Sequence, residues 1–308
     1  MTTVSAPGKL MLMGEHAVVY GYPCIVTAVS ERLQVSMEET TDGNITIDAP
    51  QVKNTRFVNQ AIIDGTNTWN ILHKGLRIKT QSNFSNCYGF GSSSAVTVAT
   101  LFALAQVFRN NVTQKQLFDT AYKTVLSIQG VGSGFDVAAA TYGKTLLYIK
   151  GGSTLDELPW NLNTNGVSLV VGYSGVKADT TIIVKEVAKK REEQLERVDR
   201  IFEAIGKLVV QAKEAGDKND WETVGKLMNF NQEYLRDLGV STEKLDAMIL
   251  GAMKAGAYGA KLSGAGGGDC VIALVSKGKK ETVEQAITQS GGTIVSVQTG
   301  TEGVMVTE

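Results

Sequence analysis

Four glycine-punctuated strings gather the residues of this sequence whose types and spacing could do chemistry. The first, Pro7-Gly8-Lys9-Leu10-Met11-Leu12-Met13-Gly14-Glu15-His16-Ala17-Val18-Val19-Tyr20-Gly21, carries a lysine and a Glu-His pair. Lys9 could act as a point charge on a developing alkoxide or a phosphate oxygen. Glu15 and His16 could hold a small polar substrate. The second string, Gly89-Phe90-Gly91-Ser92-Ser93-Ser94-Ala95, opens an apolar, Ala-rich segment. Glycines before a helix start let backbone N–H groups approach an anion, and the partial positive charge there favours a polyphosphate. A serine hydroxyl in such a loop can also ligate Mg²⁺. An ordinary N-cap would use the same residues. The third, Gly132-Ser133-Gly134-Phe135-Asp136-Val137, sets a carboxylate at the head of another apolar helix, as a cap or as a general base. The fourth, Lys261-Leu262-Ser263-Gly264-Ala265-Gly266-Gly267-Gly268-Asp269-Cys270, is a backbone that must approach something closely, or a flexible hairpin.

The elements that must position these strings follow from periodicity. Leu10–Met13, Cys24–Val29 and Leu33–Met37 read as strands, with a turn at Asp42-Gly43-Asn44. Helical spacing runs over Phe57–Lys74, Ala95–Phe108 and from Thr113 to about Ser127. Gly75–Thr80 and Gly143–Ile149 read as strands. The stretch Gly151–Gly166, with its Gly, Ser and Asn residues and Pro159-Trp160, reads as a domain boundary, dividing the chain into 1–160 and 161–308. Beyond it come a strand at Val167–Tyr173 and one long or two joined helices over Thr181–Lys213. Helices follow at Trp221–Leu238 and Thr242–Ala255, then a strand at Cys270–Val275 and a helix at Lys280–Gln289. Strands at Thr293–Gln298 and Gly303–Thr307 finish the pattern, which is α/β or α+β without repeats.

Bulk composition narrows the function classes. The 308 residues are 43% hydrophobic, enough for one large core or two. Thirty basic residues balance 31 acidic ones, so neither a nucleic-acid nor a membrane partner is expected. Cys24, Cys87 and Cys270 are far apart and, with two histidines, form no zinc pattern; scattered thiols fit a reducing cytoplasm. Met1-Thr2-Thr3-Val4 has neither a basic nor an apolar leader region, and no apolar run reaches membrane-spanning length.

Taken in order, the four strings resemble the GHMP small-molecule kinase family over nearly the whole chain, most closely its mevalonate kinases. The string through Glu15-His16-Ala17-Val18-Val19-Tyr20-Gly21 and the later Met228-Asn229-Phe230-Asn231-Gln232 are similar to those members. The resemblance implies a two-domain α+β fold. A mixed-sheet N-terminal α/β domain would join a helix-rich, ferredoxin-like C-terminal domain, with the active site between them. It implies ATP phosphates over Gly89, Gly91, Ser92, Ser93 and Ser94, with Ser93 on Mg²⁺. Asp136 would receive the substrate hydroxyl proton, with Lys9 beside it. Glu15, His16, Thr180, Gly264, Ala265 and Gly266 would lie on the side of the small-molecule substrate, mevalonate. A homodimer is implied by resemblance alone.

Some residues depart from the family pattern. A Mg²⁺-binding glutamate usually stands eleven residues before the catalytic aspartate, where this sequence has Val125. The phosphate loop is preceded by Ser85-Asn86-Cys87-Tyr88 in place of the usual proline and glycine. Gly132-Ser133-Gly134-Phe135-Asp136-Val137 and Gly268-Asp269-Cys270 resemble phosphomevalonate kinases instead. Such a substrate would want extra cations, for which Lys177, Lys185 and Arg32 are candidates. A nucleotide-binding regulator that has lost catalysis is the alternative from another class: Val125 favours it, and the joint presence of Lys9, Ser93 and Asp136 opposes it.

Overall fold

The computed structural model describes residues 1–52, 54–85, 87–160, 162 and 166–307. Asn86 and part of the expected boundary stretch, residues 161 and 163–165, lie outside them.

Two sheets organise the chain. The first contains β1 (Thr2–Met13), β2 (Cys24–Glu39), β3 (Ile45–Asp48), β4 (Leu76–Ser82), β5 (Thr145–Ile149) and β6 (Thr154–Leu158). Among the described residues only β3 and β4 pair in parallel, so the sheet is mixed. Its helices are α1 (Arg56–Trp69), α2 (Ser92–Val107), α3 (Gln114–Gln129) and α4 (Phe135–Tyr142). Helix α2 is buried on nearly every side, as its Ala-rich, uncharged sequence dictates.

The second sheet holds β7 (Val167–Tyr173), β8 (Gly259–Ser263), β9 (Cys270–Ser276) and β10 (Thr293–Ile294), in the order β10-β7-β9-β8. Helices α5 (Thr180–Glu193), α6 (Leu195–Asp217), α7 (Trp221–Leu238) and α8 (Glu243–Lys254) connect β7 to β8, and α9 (Lys280–Gln289) connects β9 to β10. All its neighbours are antiparallel, giving the split β-α-β arrangement of a ferredoxin-like unit. Strand β9 is buried on both faces. Cys270, Ile272 and Leu274 join the core shared with the first sheet, while Val271, Ala273 and Val275 join a second core beneath α5–α9.

Several elements differ from the expected bounds. Strand β2 is one continuous strand. Its register against β1 shifts between Pro7 and Lys9, and Val29 there bridges to Thr299 from the far end of the chain. Helix α1 stops at Trp69 because Asn70 turns left-handed at φ 52° and its N–H bonds back to Thr66. Strand β6 lies inside the stretch expected to be a domain boundary, paired along β5. The segment 181–213 is two helices, broken at Gln194. The last strand, β11 (Met305–Val306), pairs with Val4 and Ser5 of β1, so the first sheet draws on both sides of the expected 160/161 division.

Candidate active site

Lys9 enters the site from β1, where the register against β2 shifts. Its N–H donates to Phe90 O at 2.9 Å, and its Nζ donates to Gly89 O at 2.7 Å. The ammonium also lies 5.3 Å from the centre of the Phe135 ring. Lys9 is thereby lashed to the loop that precedes α2. Burial pulls its proton affinity below that of an ordinary lysine, and the carboxylates of Asp136 and then Asp269 oppose that shift. Gly91 sits between the two expected catalytic residues. A Cβ there would lie 3.3 Å from Lys9 carbons and 3.5 Å from Asp136 Cβ, and its φ of 75° favours glycine independently.

Gly89, Gly91, Ser92 and Ser93 line one cleft of about 240 Å³, together with Lys9, Asp136 and Ser133. Ser92 and Ser93 are the first residues of α2, whose leading N–H groups have no partner within the helix. The loop and helix start therefore form an anion cradle open to the cleft. Ser94 is placed differently. It is fully buried, and its hydroxyl donates to Asp136 Oδ2 at 2.6 Å.

The side of the cleft expected to hold the substrate is built from a strained turn. Ala17 N–H bonds to Glu15 O across His16, whose φ of 60° is unusual for a residue with a side chain. The turn aims the imidazole at the fourth string, where His16 Nε2 donates to Ala265 O at 2.8 Å. Burial drives the His16 pKa down to about 4, so the ring is neutral. Glu15 is held by Lys261, an ion pair in which neither side chain touches water. Burial raises the proton affinity of Glu15 and lowers that of Lys261, each opposed by its partner. Glu15 is among the residues lining the cleft, and its second carboxylate oxygen is buried with no hydrogen-bond partner among the described residues.

Of the remaining expected residues, Gly264, Ala265 and Thr180 line the cleft. Gly266 instead packs against the Val240 backbone, beside a bond from Gly267 N–H to Val240 O at 2.8 Å. Of the candidate extra cations, only Lys177 lines the cleft. Arg32 is committed to Ser5 and to the Glu302 and Gly303 carbonyls. Asn229 and Gln232 serve the scaffold: their amide oxygens accept from Ala260 and Leu262 N–H on β8, covering the edge of the second sheet.

Asp269 had no assigned role, and the structure puts it in the cleft. It is a non-glycine residue at φ 57°, and its carboxylate accepts Ala178 N–H at 3.0 Å. It abuts Gly89 so closely that a side chain on that glycine would collide with it. Burial raises its proton affinity, with Ala178 N–H, Lys9 and Lys177 opposing. The available signal was a charged residue closing a run of glycines.

The oxygen donors facing the cleft suit a hard cation: the Ser92 and Ser93 hydroxyls and the carboxylates of Asp136 and Asp269. Val125 also lines the cleft, beside Tyr122, Leu126 and Val131, so the place of the usual glutamate is an apolar wall. Among the described residues no group of three or more His, Cys, Asp or Glu is arranged as a metal site. Mg²⁺ needs few such ligands, because it keeps water and substrate phosphate oxygens in its shell.

The sequence and the fold both match known proteins. A model of the GHMP kinases N-terminal domain matches residues 56–144, and one of the GHMP kinases C terminal matches residues 201–293. The mevalonate kinase of Pyrococcus abyssi is 34% identical over 336 aligned residues, covering 100% of this chain and 98% of that protein. The chain belongs to the GHMP kinase family. Within it, the crystal structure of L. major mevalonate kinase in complex with R-mevalonate superposes with a TM-score of 0.81. It is 26% identical and covers 97% of this chain and 95% of that one. The Lin0012 protein from Listeria innocua has a TM-score of 0.90 at 23% identity, covering 99% of both chains, which shows the fold alone. The mixed sheet, the ferredoxin-like unit and the cleft between them are thus the family's fold, as the four strings implied. Among the described residues no helix is long and apolar enough to cross a membrane.

Proposed function

We propose that this chain transfers the terminal phosphoryl group of ATP to the primary hydroxyl of mevalonate, giving phosphomevalonate and ADP. The convergence of Lys9, Asp136 and the α2 anion cradle across Gly91 is the observation that carries this reading. The family membership and the whole-length match to a mevalonate kinase supply the substrate. In the reaction a bond forms between the alcohol oxygen and the terminal phosphorus, and the bond from that phosphorus to the bridging oxygen breaks. The hydroxyl proton passes to Asp136, and Lys9 neutralises the alkoxide as it forms. The N–H groups at the start of α2 hold the phosphates in line. Glu15, His16, Thr180 and the Gly264-Ala265 backbone hold the branched acid. Mg²⁺, held by Ser93 and the nucleotide, would neutralise the phosphate charge. A homodimer and a cytoplasmic location belong to the same proposal, supported by resemblance and by the buried free thiols of Cys24 and Cys270.

Phosphomevalonate is the second reading. Lys177 in the cleft and Asp269 at the end of the fourth string favour it. The commitment of Arg32 elsewhere removes one cation that substrate would use. Incubation with Mg-ATP and each alcohol separately, read by product mass, separates the readings. Mevalonate is expected to gain one phosphoryl group. Phosphorylation of phosphomevalonate alone would reverse the assignment, and nucleotide binding without turnover of either would leave a regulator.

A further inference from the structure

Three consecutive serines begin α2, and the helix gives them different tasks. Successive residues turn by about 100° around a helix. Ser92 and Ser93 therefore face the cleft, while Ser94 is directed into the protein. There its hydroxyl has one proton to give, and gives it to Asp136 Oδ2 at 2.6 Å. The other oxygen, Oδ1, accepts the N–H of Val137 at 3.0 Å. Each carboxylate oxygen thus receives one donor and keeps a lone pair.

An aspartate side chain has two rotatable bonds, and Asp136 is only partly buried at the mouth of α4. Val137 N–H follows Asp136 in the chain and moves with it. Ser94 is the donor from outside α4, and it stands on the helix that carries the anion cradle. From this we infer that Ser94 is a positioning residue: its hydroxyl fixes the Asp136 carboxylate relative to the start of α2. The base is then set in line with a phosphate bound at that start. The inference rests on the phosphotransfer reading above. It also reassigns Ser94, which the family resemblance placed among nucleotide ligands.

Steady-state kinetics of S94A, S94T and S94A in an Asp136→Asn background test it, with a fluorescent ATP analogue reporting binding. S94A is expected to lower kcat about 10- to 100-fold, as misplacement of a reacting group does, with nucleotide affinity within about two-fold of wild type. S94T, which keeps the hydroxyl, is expected to recover at least about half of the lost rate. In the Asp136→Asn background, S94A is expected to change kcat by less than about two-fold, because the group it positions is gone. An S94A enzyme with wild-type kcat, or with unchanged kcat and weaker ATP binding, would overturn the inference. So would a threonine variant no better than alanine, or a full S94A effect in the Asp136→Asn background. A wild-type chain inert toward both alcohols would overturn the activity, and this inference with it. An active wild type matched by S94A would overturn this inference alone.

Discussion

Lys261 of β8 and Glu15 of the turn after β1 form an ion pair with both side chains 0% exposed. The pair joins the second sheet to the turn after β1, alongside the Ser263 hydroxyl, which both accepts from Met11 N–H and donates to Met11 O. Lys261→Met would strand a buried carboxylate and is expected to cost about 3–5 kcal/mol of stability. Removing both charges, as in Glu15→Leu with Lys261→Met, is expected to cost less than Lys261→Met alone. Urea unfolding of the two variants decides the matter; equal losses would show that the stranded charge is not the cause.

Asp136→Asn keeps the shape of the side chain and removes its ability to take a proton. A loss in kcat of about 10²–10⁴ is expected, the usual contribution of a general base. Binding of ATP without magnesium, measured by calorimetry, should stay near wild type because the anion cradle is on α2. A variant with normal kcat would remove Asp136 from the reaction.

Ser93→Ala is expected to raise the half-saturating magnesium concentration by roughly ten-fold, a typical cost of disturbing a metal's surroundings. The same shift should appear in calorimetric titration of Mg²⁺ into the nucleotide complex, independently of turnover. Identical titrations would place the cation elsewhere, with the Asp269 carboxylate the next donor to test.

The buried imidazole of His16 makes stability depend on pH. Its pKa falls from 6.5 to about 4 on folding, so between these values the unfolded chain binds a proton that the folded chain does not. Stability therefore falls as pH drops through that window, by about 3 kcal/mol in all. His16→Gln lacks this proton uptake. Melting temperatures from pH 7 to pH 4 should decline more steeply for wild type than for the variant, and parallel curves would contradict the burial of a neutral ring.

Sequence made the chemistry more legible than the contacts. Lys9, Gly89, Gly91 and Asp136 stand in short strings whose glycines and charges announce a close backbone approach. Their convergence across Gly91 needed the fold. Ser94 was unreadable in a run of three serines, since only helix phase separates it from Ser92 and Ser93. The Glu15–Lys261 pair spans 246 positions, and no local pattern marks it. Gly266 looked like its neighbours and proved to be a packing position against Val240. Strand β2 seemed divided because Ser30-Glu31-Arg32 interrupts its apolar run. That interruption is a bulge occupied from the chain's other end, where Ser30 N–H bonds to Gln298 O.

That return of the chain also governs the order in which the protein is completed during synthesis. A nascent polypeptide that has emerged through residue 160 holds the phosphate loop and the proposed base. It still lacks the strand that flanks Val4 and Ser5 and the segment that fills the gap beside Ser30. Domains commonly fold as units while the ribosome is still working. Here the lysine-bearing strand gains its last neighbour only after the entire second sheet has been translated, so the early lobe waits on the late one.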